Sequence, residues 1–371
     1  MRLDNNQQAF FKLLGAGLWE KDLELRKYGT TDFDEIMRLA EEQSVVGVVT
    51  AGLEHVSDVK VPQEKLLQFI GQALQIEQQN REMNEYIERL ITELRSRGVY
   101  ALLMKGQGIA QCYERPLWRM SGDVDLLLSH DNYIAARSIL EPKATNIDEE
   151  IEGRKHLALT RGDWVVELHG TLRTNLWKSL ERVMDEAQRD IFYNGQVQSW
   201  DNGGTQVFLM NADENVAFVF AHILQHFFVE GIGLRQICDW CRLLYTYKDS
   251  LNHGLLESRI REAGLMSEWR AFAAMAVNKL GMPVEAMPFY SDASKWRRKG
   301  DKILAFVIET GNFGHNRDMS YRQEENAISR KWKTFCHISA DTIKQFSIFP
   351  VDSVKVWWRM MGIGLRGLVR R

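Results

Sequence analysis

Proline is scarce in this chain, with six in 371 residues. So few helix breakers, beside many Leu, Glu, Gln, Arg and Met, favour a helix-rich structure. Cysteine is scarcer still. Four thiols in a chain this long do not make a disulfide scaffold, and a reducing, cytoplasmic setting is expected. No run of about 18 apolar residues occurs, so nothing reads as a membrane span. The opening stretch Met1-Arg2-Leu3-Asp4-Asn5-Asn6-Gln7-Gln8 lacks the apolar segment of a signal peptide. Neither sign of charge dominates: the net charge of −3 creates no global field toward nucleic acid or membrane, and no stable nucleic-acid partner is expected.

What is present is ordinary for a folded protein, with 45% apolar and 26% charged residues. The length allows two or three domains. Residues 1–95 read as helices. Asp32 or Asp34 suits the cap of a helix through Glu42, with Ile36, Met37, Leu39 and Ala40 on one stripe. Pro62-Gln63-Glu64 opens a long helix that ends at the Arg97-Gly98 stop. The texture then changes to short apolar runs. Val99 to Met104 predicts a strand, Lys105-Gly106-Gln107-Gly108 a turn, Ile109 to Tyr113 a helical piece, and Tyr133 to Leu140 a helix stopped before Pro142. His156–Thr160 and Trp164–His169, on either side of Arg161-Gly162-Asp163, predict a hairpin. This places an α/β core at 96–204. Helices resume from 205 to 371, beginning near Asn211. The expected class is α+β, a mixed-sheet core flanked by N-terminal and C-terminal helical regions.

The most informative stretch is Gly122-Asp123-Val124-Asp125-Leu126-Leu127-Leu128. It predicts a short buried strand. Asp123 and Asp125 then project from the same face, roughly 6–7 Å apart. Two like charges on a buried face are unfavourable unless something binds them. A divalent cation such as Mg²⁺ or Mn²⁺ would relieve the repulsion, and Mg²⁺ is commonly shared between carboxylates and nucleotide phosphates. The alternative is a pair of acids on a solvent-exposed strand edge. Glu167 repeats the anomaly as a single acid between Val166 and Leu168, where a salt-bridged strand acid is the plainer reading. Lys105 and Arg119 are candidate phosphate contacts or ordinary surface charge. His169 shares the face of Glu167.

The order apolar strand, Gly turn, Asp-x-Asp strand and later carboxylate resembles the nucleotidyltransferase superfamily that includes DNA polymerase β and kanamycin-type aminoglycoside nucleotidyltransferases. Lys105-Gly106, Tyr113, Arg119 and Gly122-Asp123-Val124-Asp125-Leu126 more closely resemble an uncharacterised bacterial nucleotidyltransferase-like family often found among polysaccharide-biosynthesis genes. Glu167-Leu168-His169, His222, Leu234-Arg235, Asp239 and Leu243-Leu244 are similar to it as well. The resemblance spans about residues 30–250. It implies a metal-dependent transfer of NMP from an NTP, with ATP the expected donor, to an unknown hydroxyl acceptor. Asp123, Asp125 and Glu167 would hold the metal and carry catalysis. Glu167 would also help deprotonate the acceptor, and Lys105, Gly106 and Arg119 would bind phosphate. The chain departs from the superfamily pattern at Gly106-Gln107, where Gly-Ser is usual, and in the sixteen residues between Gly106 and Asp123. The missing hydroxyl supports a second expectation: a nucleotide-binding or scaffold protein of the same fold with weak or no turnover.

Two other features invite their own readings. His222-x₃-His226 and Cys238-x₂-Cys241 have the spacing of zinc ligands, which suggests a zinc-stabilised adaptor, although Cys238 and Cys241 also fit an apolar helix face. The segment Lys355 to Arg371 carries basic residues and no acid. It reads either as a docked helix with a frayed end or as a peripheral contact with anionic lipid or an acidic partner.

Overall fold

The computed structural model describes residues 3–148, 150, 155–312 and 327–369. The N-terminal region is helical: α1 (Asn5–Trp19), α2 (Phe33–Glu42), α3 (Val46–Glu54) and α4 (Gln63–Ser96). Asp32 caps α2, its side chain accepting from the backbone N–H groups of Asp34 and Glu35. The 34 residues of α4 span about 51 Å at 1.5 Å per residue. Its buried stripe, from Phe69 through Ala73, Ile76, Asn80, Met83 and Ile87 to Leu94, alternates steps of three and four residues. Pro62 stands at the N-cap of α4, just outside the first turn.

The core follows as β1 (Ala101–Met104), α5 (Gly106–Ala110), β2 (Asp123–Leu128), α6 (His130–Leu140), β3 (Asn146–Ile147), β4 (His156–Arg161), β5 (Trp164–His169), α7 (Lys178–Tyr193), β6 (Val197–Asn202) and β7 (Thr205–Met210). These strands form one seven-stranded mixed sheet in the order β3-β4-β5-β2-β1-β7-β6. β2 runs antiparallel to β1 and parallel to β5, and β1 runs parallel to β7. The expected boundary at 204 falls inside the β6–β7 hairpin, where Asn202 pairs with Thr205. The apolar run at 207–210 suits a strand or the start of a helix, and pairing with β1 selects the strand. The expected turn at 105–108 is shorter than anticipated, because α5 already begins at Gly106.

Helices then continue as α8 (Ala212–Val229), α9 (Leu234–Thr246), α10 (His253–Glu262), α11 (Met266–Leu280), α12 (Ser294–Thr310), α13 (Ala327–Phe346) and α14 (Pro350–Val369). Among the described residues no helix is long and apolar enough to cross a membrane. In α14 the Lys355 ammonium lies over the Trp177 ring and Arg359 donates to Asn175 Oδ1, so both cations fold back on the chain. The rest of the expected basic tail, Arg366, Arg370 and Arg371, lies outside the described side chains.

Strand alternation divides the sheet between two cores. Leu103, Val124, Leu126, Leu128, Leu157, Leu159, Val166 and Leu168 pack with the second half of α4 and with α6. Leu102, Met104 and Leu127 belong to the larger core that includes α8 and α9. Asp123, Asp125, Glu167 and His169 therefore project from the face that α8 and α9 cover.

Candidate active site

Five residues on three adjacent strands meet on this face. Asp125 sits opposite Glu167 in the parallel β2–β5 pair, and His156 sits opposite His169 in the β4–β5 hairpin. Lys105, at the end of β1, reaches in from the side. Its Nζ lies 2.6 Å from Asp125 Oδ1. Lys105 has φ +46°, a backbone region that side-chain-bearing residues rarely adopt, and Gly106 follows at φ +41°. The chain thus turns sharply from β1 into α5 beneath the acidic strand.

The carboxylate oxygens of Asp123, Asp125 and Glu167 can all lie within 4.8 Å of one another. The charge of Asp125 and then burial push the Asp123 carboxyl above its ordinary value, with Lys105 working the other way. Burial alone would raise Glu167 as well. Its bonds to His156 and His169 and the charge of Lys105 instead hold it well below the usual carboxylate range. Burial disfavours the Lys105 ammonium, but Asp125, Glu167 and Asp123 together raise its pKa. Three oxygen donors, with repulsion at Asp123 that Lys105 offsets only in part, fit a hard divalent cation.

Histidines surround the acids. His169 Nε2 is 2.8 Å from Asp125 Oδ1 and 3.4 Å from Glu167 Oε2. His156 Nε2 is 3.0 Å from the same Glu167 oxygen. From α8, His222 Nε2 lies 2.9 Å from His226 Nε2. Burial, then the charges of Lys105 and His226, drive the His222 pKa far down, so its imidazole is neutral.

Arg119, the expected phosphate contact, is held by partners within the chain. Its Nε donates to Asp239 Oδ1 at 3.0 Å, Nη2 bonds Oδ2, and Nη1 serves Met120 O and Ser121 Oγ. Tyr113 Oη also donates to Asp239. The guanidinium fork is thereby committed to a buried clamp between the 115–121 loop and α9. Asn80 of α4 secures the same loop by donating to Leu117 O and Arg119 O. Gln107 is buried and donates to Asn80 Oδ1, away from the acids. At Gly47 an added Cβ would lie 2.1 Å from Trp118 O, so only glycine lets α3 approach this loop.

Two cavities flank Lys105, Asp123 and His222. The one beside Arg119, Arg235 and Asp239 holds about 50 Å³. That is room for a water or a phosphate oxygen, not for a triphosphate. The other, about 270 Å³, is lined by His156, Glu167, His169, His226 and Glu230. Thr171 and Arg173 join it to a groove of about 550 Å³ over Ser129, His130 and Tyr193.

Residues 29–281 match the model of a family described as uncharacterised nucleotidyltransferases. The chain belongs to that family. The match covers the sheet, the acidic cluster and the helices α8 and α9 above it. A solved nucleotidyltransferase-like antigenic protein from Paracoccidioides brasiliensis is similar at 15% identity, over 55% of this chain and 94% of its own, with a TM-score of 0.33. No curated protein matches the chain.

Asp123, Asp125, Glu167, Lys105 and Gly106, all expected at the site from the sequence, come together in the fold. His156 is an addition to that set. The signal existed, because a two-residue turn at Gly162-Asp163 sets His156 opposite His169. Cys238 and Cys241 are wholly buried in α9, where burial pushes both thiols up. Among the described residues neither joins a group able to hold a metal, so the zinc spacing reflects core packing.

Proposed function

We propose that this nucleotidyltransferase-like protein transfers NMP from an NTP to a hydroxyl acceptor, with a divalent cation held by Asp123, Asp125 and Glu167. The observation that carries the reading is the convergence of three carboxylates, from two paired strands, on one covered face. Mg²⁺ or Mn²⁺ is the fitting ion, and ATP the expected donor. When bound, such an ion would neutralise charge on the reacting phosphate.

The chain's own residues have separable tasks. Asp123 and Asp125 orient the cation. Glu167 serves as ligand and fixed anion and, lining the larger cavity, is placed to help deprotonate the acceptor hydroxyl. Lys105 holds a positive charge against Asp125 and can turn to a phosphate once that carboxylate has another partner. Gly106 permits the turn that brings Lys105 there. Arg119 acts at one remove, by fixing the loop beside the site. The 270 Å³ cavity and the groove beyond Thr171 offer room for nucleotide and acceptor.

Purified protein incubated with labelled NTPs, Mg²⁺ and cell extract should release pyrophosphate. The Asp123→Asn/Asp125→Asn double variant should lose Mg²⁺-dependent nucleotide binding, and unchanged affinity there would overturn the site. A second reading, nucleotide binding without turnover, is favoured by the burial of Gln107 where a phosphate-contacting hydroxyl is usual. Tight Mg·NTP binding with no pyrophosphate release from any acceptor fraction would select it.

A further inference from the structure

The hard-cation cluster leaves part of the site unexplained. Hard divalent ions take oxygen ligands, yet two imidazoles also converge on Glu167, His156 from the β4 side and His169 from between Glu167 and Asp125. The His156 and His169 rings stack at 4.6 Å between centroids, 28° from parallel. Their Nε2 atoms lie 3.0 and 3.4 Å from one oxygen, Glu167 Oε2. The ligand atoms of all three residues can lie within 4.8 Å of one another. The backbone enforces this arrangement. The two histidines are directly opposed across an antiparallel hairpin, and Glu167 is two residues before His169 on the same face. All three are partly buried and line the 270 Å³ cavity.

We propose that His156, Glu167 and His169 form a second metal site, selective for a divalent transition-metal ion such as Zn²⁺, Mn²⁺, Fe²⁺ or Co²⁺. Imidazole is the ligand that separates these ions from Mg²⁺ and Ca²⁺, and two histidines with one carboxylate on one side of an ion leave its remaining positions open. Here those positions would face the cavity. The Lys105 ammonium, Asp123 and Asp125 lie toward β1 and β2, with His169 between Asp125 and Glu167 and within reach of both. The carboxylate would therefore be shared between a hard-ion site and a borderline-ion site. The site does not depend on nucleotidyl transfer, since an inactive nucleotide-binding protein would hold the same ion.

Equilibrium dialysis of the full-length protein against Co²⁺ in excess Mg²⁺, read by metal analysis and visible absorption, tests this. One Co²⁺ per chain should be retained, with d–d bands that report nitrogen ligation. His156→Gln and His169→Ala should each weaken Co²⁺ binding by more than about tenfold, since loss of even an outer partner commonly does so. His156→Gln keeps a polar side chain on a partly exposed strand position, and an unchanged melting temperature shows that it folds. Asp123→Asn, which removes no ligand of this site, should lose Mg²⁺-dependent nucleotide binding yet keep Co²⁺. Wild-type protein that holds no Co²⁺ against Mg²⁺, or folded His156→Gln protein that binds it as wild type does, would overturn the proposal while leaving the nucleotidyl-transfer reading intact.

Discussion

Lys105 Nζ rests 2.6 Å from Asp125 Oδ1, so the chain carries its own cation inside the carboxylate cluster that fits a metal. The ammonium offsets the repulsion among Asp123, Asp125 and Glu167 when no metal is there. Its unusual backbone conformation is what brings it into range. Strain at the end of β1 and charge on β2 and β5 are thus two parts of one device.

Lys105→Met should therefore destabilise the protein most when divalent ions are removed. Breaking a buried ion pair by deleting one partner removes about 3–5 kcal/mol. Here Mg²⁺ should restore part of the loss, by giving the carboxylates another partner. Thermal melts of the variant in EDTA and in Mg²⁺ should differ more than those of the wild type. Equal differences would show that Lys105 does not compensate the cluster.

The Arg119–Asp239 pair should behave as a structural clamp. Arg119→Met and Asp239→Leu each leave the other charge buried, and each should lower stability by roughly 3–5 kcal/mol. The double variant should be milder than the sum of the two, because no orphaned charge remains. Urea unfolding of all four proteins gives the coupling. Additive losses would return Arg119 to the role of an independent phosphate contact.

Glu268 on α11 provides a pH test remote from the site. Burial, then the neighbouring charge of Asp352, pushes its carboxyl up to about 8 from an ordinary 4.5. Between those values the folded state holds a proton that the unfolded state has released. The stabilisation is complete below about pH 4.5 and is lost as pH rises through 8, at up to about 1.4 kcal/mol per pH unit. Glu268→Gln keeps the neutral form at every pH. Its unfolding midpoint should fall less than that of wild type between pH 5 and 8, and parallel pH profiles would refute the assignment.

Much of the site was legible because strands obey a local rule. Alternation alone puts Asp123 with Asp125, and Glu167 with His169, on single faces. The stop at Arg97-Gly98 and the turn at Gly162-Asp163 likewise depend on nearby residues, and α4 and the β4–β5 hairpin formed where those signals stand. What local rules leave open is which strands become neighbours and what covers them. The pairing of β7 with β1 spans about a hundred residues of sequence, and no period in either strand announces it. The same holds for Arg119, which reads as an exposed phosphate contact until α9 brings Asp239 against it. The sequence by itself determined that three carboxylates would point out of strands. Only the tertiary structure decided that they share one face with two histidines and a lysine, because that depends on strand order and on helices packed from far along the chain.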